Sequence, residues 1–276
     1  MAEVIKSSGQ KARFSVSKLR NSLKYSGADE NTIKWITEKV HDELYPGIST
    51  KEIYNRAYAL LKKKKSVFAS KYKLKKAIYE LGPTGFPFER FVAALLQYSG
   101  FKVKVSQIIS GGCVSHEIDV LAIKNEKITL IECKFHNEEG RNCDVKVPLY
   151  IHSRFQDILS KTSDDKVESK YAQLGWVVTN TRFSKDAQMY GSCVGLYLLS
   201  WDFPKGNSLK ERIDRLQLYP ITVSTILTSR EKEFLLSRDI VLCKQLIHDT
   251  FYLGHLGLSP NRKIRILNEI KSLCQT

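Results

Sequence analysis

The pattern of apolar and polar positions divides the chain into three regions, and the first is mostly helical. Two short β-type runs, 4–6 and 11–14, lie on either side of Gly9 and predict a small β-hairpin. Apolar residues then recur every three or four positions, which predicts amphipathic helices. These helices begin near Ser15, cover 31–44, begin after Ser49 and cover 71–81.

In the middle of the chain the pattern changes to that of a β-hairpin. The apolar run 120–123 is followed by the polar turn 124–127 and by a second apolar run, 128–131. Two β-type runs joined by a tight polar turn predict two antiparallel strands. Asp119 is expected at the start of the first strand, and Glu132-Cys133-Lys134 ends the second.

The charged residues of this hairpin predict a metal site. Side chains of a strand alternate between its faces, so Glu132 and Lys134 face one way and Cys133 faces the other. Asp119 then lies beside Glu132, and two carboxylates there are ligands for a hard cation such as Mg²⁺ or Mn²⁺. Lys134 reaches the same point, which completes the groups needed for metal-assisted phosphodiester hydrolysis. An ordinary charged surface hairpin is the alternative interpretation.

The last region is helical again. The pattern predicts helices over 208–218, after Thr228 and over 261–274, with Ile264 on the apolar face of the last helix. Their order resembles a helix-hairpin-helix module, a fold that binds DNA phosphates through backbone amides. A small helical cap used for packing or oligomerisation is the alternative.

The middle region resembles the PD-(D/E)XK nuclease superfamily and, within it, the Mrr-like restriction endonucleases. The resemblance rests on an ordered set of features over residues 82–205: Glu89 in a helix, Asp119, the Glu132-Cys133-Lys134 strand end and a distal strand at 175–184. It implies an α/β core with a central mixed sheet and a Mg²⁺-dependent DNA endonuclease.

The same resemblance implies a role for each site residue. Asp119 and Glu132 ligate a metal ion together with the backbone carbonyl of Cys133. Glu89 binds a second metal ion or a metal-bound water. Lys134 orients the attacking water or stabilises the pentavalent phosphate. All four side chains, Glu89, Asp119, Glu132 and Lys134, are therefore expected to be catalytic.

Five further residues are candidates for supporting roles near this site. Glu117 shares a strand face with Asp119, either as an additional ligand or as a neighbour. His116 and His136 flank the site, and plain hydrogen bonding is the alternative to function for each. Arg154 and Gln156 lie on the expected helix after Lys134 and are candidates for approaching a phosphate.

The first region resembles the ATP-cone, the nucleotide-binding regulatory module of ribonucleotide reductases and of the repressor that controls their genes. The match covers residues 4–6, Gly9, Phe14, 18–19 and 48–53. It implies that ATP or dATP binds as a regulatory ligand. The nucleotide-contacting residues carried over from the family are Val4, Lys6, Lys18, Thr50 and Lys75.

Composition and charge restrict the function further. The chain has 276 residues, a formal net charge of +15 and a pI near 9.4, which favour a polyanionic partner such as DNA. Residues 1–84 carry 18 lysines and arginines against 8 acidic residues. The lysine run 62–65 is either a contact to DNA backbone or nucleotide phosphate, or a solvated helix face or linker.

The cysteines and the hydropathy bear on the compartment. The six cysteines form no CxxC and no zinc spacing, which predicts reduced thiols in a cytoplasmic protein. No apolar run approaches the ~18 residues that a membrane span requires.

These observations combine into one expected function. We expect an α/β multidomain protein with an ATP-cone at 1–81, a nuclease domain at 82–205 and a helical region at 206–276. It acts as a nucleotide-regulated, divalent-metal-dependent DNA endonuclease in defence against foreign DNA, and it contacts DNA mainly through the backbone as a homo-oligomer, a dimer or larger. The alternatives are a structure-specific repair nuclease and a non-cleaving DNA-binding regulator.

Overall fold

The computed structural model describes residues 3–6, 9–138, 140–161 and 175–274, and its contacts divide the chain into two compact units. Unit 1 comprises Met1–Ile78, Tyr219–Phe234 and Cys243–Thr276. Unit 2 comprises Tyr79–Leu218 and Leu235–Leu242. Most of the chain after residue 218 therefore folds with the N-terminal region, whereas the sequence suggested a separate C-terminal region from residue 206.

The strands are short in the N-terminal region and longer in the middle of the chain. They are β1 (Glu3–Ile5), β2 (Lys11–Arg13), β3 (Ile48–Ser49), β4 (Lys102–Ser110), β5 (Ser115–Lys124), β6 (Lys127–Lys134), β7 (Asn142–Cys143), β8 (Trp176–Thr179), β9 (Arg182–Phe183) and β10 (Tyr197–Leu199).

Along the chain, helices occupy both ends and also lie between strands of the middle region. They are α1 (Val16–Tyr25), α2 (Glu30–Asp42), α3 (Thr50–Lys64), α4 (Ser66–Tyr72), α5 (Leu74–Tyr79), α6 (Phe86–Gln97), α7 (Lys146–Ser160), α8 (Lys185–Cys193), α9 (Leu209–Leu216), α10 (Ser229–Leu236), α11 (Cys243–His248), α12 (Phe251–His255) and α13 (Pro260–Cys274). A 3-10 turn spans Ile221–Val223.

Unit 1 is a helical body with a three-stranded sheet of order β2-β1-β3. The predicted hairpin is formed by β1 and β2. β3 adds a strand parallel to β1, and its two residues are too few to be recognised as a strand in the sequence. Side-chain caps start the helices where the sequence placed them: Ser15 accepts from the N–H of Lys18, and Ser49 accepts from that of Glu52.

A buried carboxylate ties the C-terminal helices into unit 1. Glu269 of α13 is 4% exposed and accepts hydrogen bonds from Ser70 of α4 at 3.2 Å and from Ser224 at 2.5 Å. It also accepts from the backbone N–H and the hydroxyl of Thr225, at 2.9 and 2.6 Å. A buried carboxylate needs such donors, so this network fixes α13 against the N-terminal region.

Two helix predictions in unit 1 were wrong in detail. The expected helix over 71–81 is divided between the end of α4, which stops at Tyr72 with Lys73 as its C-cap, and the short helix α5. Ile264 is 56% exposed, whereas Ile266 and Ile270 are fully buried. At about 100° per residue Ile264 lies on the other side of α13 from Ile266.

Unit 2 is built on a mixed five-stranded sheet of order β10-β8-β6-β5-β4, which confirms the expected central mixed sheet. β10, β8 and β6 are parallel to one another, and β6, β5 and β4 are antiparallel. Helix α6 packs on β4, β5 and β6, while α7 and α8 share a buried core cluster with the sheet. The sheet brings the ends of β6 and β8 together, since Lys134 pairs with Thr179.

Two global features agree with the composition. No helix in the described ranges has the length and apolar character to cross a membrane. All six cysteines are free thiols.

Candidate active site

The β5–β6 hairpin sets the two central carboxylates side by side. Asn125 and Glu126 form its two-residue turn, with φ of 51° and 62°, and this turn fixes the antiparallel register. The register runs to Val120 opposite Ile131, so Asp119 and Glu132 follow as the next facing positions. The backbone N–H of Cys133 donates to Asp119 Oδ2 at 2.7 Å. The sequence suggested that Asp119 lies at the start of β5. It lies inside the strand instead, because β5 begins at Ser115.

Glu89 joins these two carboxylates from the first turn of α6. Phe88 packs on Phe135, with ring centroids 5.6 Å apart, so α6 is anchored just beyond the end of β6. A Cβ at Gly85 would lie 3.1 Å from Glu89 Oε1, so glycine leaves room for the Glu89 side chain. The charge of Asp119 acts on both Glu89 and Glu132, which makes the three predicted acidic residues one electrostatic group.

Burial raises the pKa of all three carboxyl groups, and the charge of Asp119 adds to this effect on the other two. Burial, and then the charge of Asp119, raise the pKa of both Glu89 and Glu132 to about 7. Burial also raises the pKa of Asp119, against the opposing N–H of Cys133 and the charges of Arg154 and Lys134. Buried carboxyl groups whose pKa is raised by a neighbouring carboxylate favour an added positive charge.

Lys134 supplies a nearby positive charge that the solvent can reach. It is exposed at the end of β6, and its charge acts on both Asp119 and Glu132. Cys133 between Glu132 and Lys134 is buried, and this burial raises the pKa of its thiol well above the ordinary value. The thiol is therefore neutral, which leaves the backbone carbonyl as the group of Cys133 that suits a hard cation.

The residues present fit a divalent cation, although no three side chains form a complete set of ligands. Within the described residues no group of three or more His, Cys, Asp or Glu is arranged to hold a metal ion. The predicted set does not require one, because it combines two carboxylates with a backbone carbonyl. Glu132 Oε2 is buried and has no hydrogen-bond partner among the described residues, which leaves one carboxylate oxygen available for a cation.

Arg154 on α7 lies in this site as an ion-pair partner of Glu132. Its Nη1 is 2.6 Å from Glu132 Oε1, and its Nη2 donates to the backbone carbonyl of Glu117. The sequence suggested a phosphate contact for Arg154 and for Gln156, but Gln156 contacts His152 at 3.3 Å. The structure thus brings Arg154 to the acidic residues and turns Gln156 to its own helix.

The flanking histidines make structural contacts. His116 Nε2 lies 2.7 Å from Asp157 Oδ2. His136 lies 3.3 Å from Cys143 Sγ, and its backbone N–H and carbonyl both pair with the Asn180 side chain. These contacts agree with plain hydrogen bonding, and those of His136 join it to Asn180 directly after β8.

Asp157 is a residue that sequence reasoning missed. Its carboxylate accepts from the backbone N–H groups of Cys113 and Val114 as well as from His116, and these bonds hold its pKa far below the usual range. A Cβ at Gly111 would lie only 2.1 Å from Asp157 Oδ2. The Gly111-Gly112 pair just before β5 was the available signal for such a close approach.

A second candidate site lies in unit 1. A cavity of about 330 Å³ is lined by four of the five residues expected to contact a nucleotide: Val4, Lys6, Lys18 and Thr50. The fifth, Lys75, is on α5 and is not among the lining residues. Arg13, Tyr54 and Tyr72 also line the cavity and were not anticipated, because they come from β2, α3 and α4.

Two family profiles match parts of the chain. Residues 83–200 match the Mrr catalytic-domain profile, described as "Restriction endonuclease". Residues 219–274 match the profile "AF1548-like, C-terminal". The first match confirms the resemblance inferred for residues 82–205, and residues 83–200 form a restriction-endonuclease-like domain. The second match identifies residues 219–274 as an AF1548-like C-terminal domain, and the helix-hairpin-helix resemblance stays a prediction.

Two further similarities each cover about two thirds of the chain or more. An uncharacterised protein of Archaeoglobus fulgidus is 32% identical over 186 residues, which cover 66% of this chain and 99% of that protein. A crystal structure titled as a protein of unknown function, AF1548, aligns with a TM-score of 0.55 and 29% identity. That alignment covers 72% of this chain and all of the other.

Proposed function

Because the chain belongs to the AF1548-like family and contains a restriction-endonuclease-like domain, we propose that it is a divalent-metal-dependent DNA endonuclease regulated by a nucleotide. One observation carries the proposal: Glu89, Asp119 and Glu132 interact as a partly buried acidic group beside the exposed Lys134. Restriction-endonuclease-like domains of this superfamily generally use Mg²⁺, and this group of residues suits that ion.

The proposed mechanism assigns one task to each residue. Asp119, Glu132 and the carbonyl of Cys133 would hold a cation, and Glu89 would hold a second cation or a metal-bound water. A bound divalent cation supplies a Lewis acid that stabilises charge on the phosphate and acidifies the attacking water. Lys134 orients that water and stabilises negative charge on the phosphate in the transition state.

The cavity of unit 1 supports the regulatory part of the proposal. Lys6, Arg13 and Lys18 bring positive charge to a cavity that also has apolar walls from Val4, Leu19 and Ile53. Such a mixture suits a nucleotide, with a polyanionic tail and a flat base. We propose ATP or dATP as the ligand and the cavity as an ATP-cone site.

The remaining expectations concern the partner and the biological role. We propose that the lysines at the end of α3 contact DNA backbone, that the protein self-associates, and that cleavage serves defence against foreign DNA. The formal net charge of +15 supports a polyanionic partner.

The test is cleavage of supercoiled plasmid with Mg²⁺ or Mn²⁺, with and without ATP and dATP. Wild-type protein is expected to cut, and Asp119→Asn is expected not to cut. Lys127→Ala, at the other end of the same strand as Lys134, serves as a matched control that keeps activity. If the protein cuts none of plasmid, linear and branched DNA in all of these conditions, the endonuclease assignment is overturned. A non-cleaving DNA-binding protein is then favoured.

A further inference from the structure

The guanidinium of Arg154 is held by three different groups. Its Nη1 lies 2.6 Å from Glu132 Oε1, and the exposed fractions of the two side chains are only 12% and 9%. Its Nη2 donates to the main-chain carbonyl of Glu117 on β5. Its Cζ lies over the Tyr150 ring, 5.5 Å from the ring centroid. Two of these contacts do not depend on Glu132, so the guanidinium has a fixed position beside the site.

The ion pair leaves the two oxygens of Glu132 in different states. Oε1 accepts from Arg154, while Oε2 is buried without a hydrogen-bond partner among the described residues. A carboxylate bound by one oxygen to a fixed cation cannot rotate freely. Its second oxygen is therefore presented in one orientation toward whatever positive group the site takes.

We propose that Arg154 is a positioning residue, which fixes the Glu132 carboxylate so that Oε2 is oriented toward the bound divalent cation. This inference rests on the proposed function. The same ion pair is open to an opposite interpretation, in which Arg154 competes with the cation for Glu132. The main-chain contact to Glu117 favours positioning, because a cation that ligates Glu132 does not remove it.

The two roles predict opposite signs for one measurement. Partners that orient a metal ligand typically contribute 10- to 100-fold to metal affinity. Loss of an orienting Arg154 therefore weakens metal binding, whereas loss of a competing cation tightens it. The sign of the change decides between them independently of catalysis.

The experiment is a titration of the full-length protein with Mn²⁺, without DNA, following free Mn²⁺ by electron paramagnetic resonance. Asp119→Asn defines which binding belongs to the site. Arg154→Gln is expected to weaken that binding by about 10- to 100-fold. Arg154→Lys, which keeps the charge but cannot contact Glu132 and Glu117 together, is expected to give an intermediate affinity.

A matched control is available in the same unit. Arg182 forms an ion pair with Asp202, also at 2.6 Å, but both side chains are largely exposed. Arg182→Gln removes the same kind of pair and is expected to leave Mn²⁺ affinity unchanged. In cleavage assays Arg154→Gln is expected to need more Mg²⁺ and to recover rate when Mg²⁺ is raised.

The possible results separate the inference from the proposed function. If wild type and Asp119→Asn bind Mn²⁺ equally, the metal site is absent, and both the positioning role of Arg154 and the proposed function fail. If that binding exists and Arg154→Gln leaves it unchanged or tighter, positioning is overturned and the endonuclease assignment stands. If Arg154→Gln does not fold, as judged by circular dichroism, Arg154→Lys is compared with wild type instead. Weaker Mn²⁺ binding by Arg154→Lys supports positioning, and unchanged or tighter binding overturns it.

Discussion

The acidic site of unit 2 and the basic cavity of unit 1 use charge in opposite ways. In unit 2 burial and the charge of Asp119 raise the pKa of Glu89 and Glu132 to about 7. In unit 1 Lys6, Arg13 and Lys18 line a cavity with no carboxylate among its lining residues. The first site is suited to a cation and the second to an anion. The two ligands can therefore be tested separately, and each serves as the control for the other.

Removal of one charge from the acidic site is expected to have the largest effect. Asp119→Asn keeps an oxygen that can accept from the Cys133 N–H but loses the negative charge that a cation needs. Plasmid cleavage is expected to fall to background, because no other carboxylate of the described residues occupies the position of Asp119 on β5. The thermal shift of the protein by ATP or dATP is expected to persist.

The control for that substitution is Glu126→Gln at the exposed tip of the same hairpin. It is expected to cut as wild type does. Equal cleavage by Asp119→Asn and Glu126→Gln would contradict the acidic site, even if both proteins bind DNA normally.

The next effect concerns the lysine of the acidic site. Lys134→Ala removes an exposed charge that acts on Asp119 and Glu132, and it is expected to lower the cleavage rate by about 10²- to 10³-fold. Single-turnover cleavage at saturating Mg²⁺ measures this loss. Mn²⁺ binding is expected to remain, and Lys127→Ala provides the comparison. A rate within about threefold of wild type would remove Lys134 from the mechanism.

The two sites also differ in how far the sequence could predict them. Asp119 and Glu132 are brought together by one hairpin, whose two apolar runs and polar turn are visible in the sequence. The strand alternation and the tight turn then dictate that they are neighbours. The same local logic located the caps Ser15 and Ser49.

The contacts that sequence reasoning missed join distant segments of the chain. Arg154 reaches Glu132 across 22 positions and Asp157 reaches Cys113 across 44, through the packing of α7 on the sheet. Glu269 meets Ser70 across 199 positions. No periodicity encodes such contacts, because they depend on how helices dock. The same limit explains why the C-terminal helices were not expected to fold with the N-terminal region.

A smaller effect tests the basic cavity. If ATP or dATP binds there, ligand at about 100 times its Kd stabilises the protein by about 2.7 kcal/mol, which a thermal melt detects. Lys18→Ala is expected to weaken binding about tenfold, since it removes a positive charge from the cavity lining. Lys24 lies on the same helix but outside the lining, so Lys24→Ala is the matched control.

The outcome for the cavity is independent of the nuclease. If neither nucleotide shifts the melting temperature of wild type, the ATP-cone assignment fails while the endonuclease proposal stands. If Lys18→Ala and Lys24→Ala weaken binding equally, the nucleotide binds through general positive charge and not in this cavity.

The smallest effect is the dependence of stability on pH in the absence of metal. The pKa of Glu132 is raised from its usual 4.5 to about 7, so between these values the folded protein binds more protons than the unfolded chain. Its free energy of unfolding is therefore expected to fall as pH rises from about 5 to 7. Glu132 contributes at most about 3 kcal/mol to this loss, because one pKa unit corresponds to about 1.4 kcal/mol.

Urea unfolding in EDTA at several pH values measures this slope. Glu132→Gln is expected to reduce it, because the substituted side chain does not ionise, whereas Glu126→Gln is expected to retain it. Added Mg²⁺ is expected to stabilise wild type more at pH 8 than at pH 5, since the cation binds the ionised carboxyl groups. If Glu132→Gln leaves the dependence of the unfolding free energy on pH unchanged, Glu132 ionises normally. The contrast between an acidic site suited to a cation and a basic cavity suited to an anion would then no longer hold.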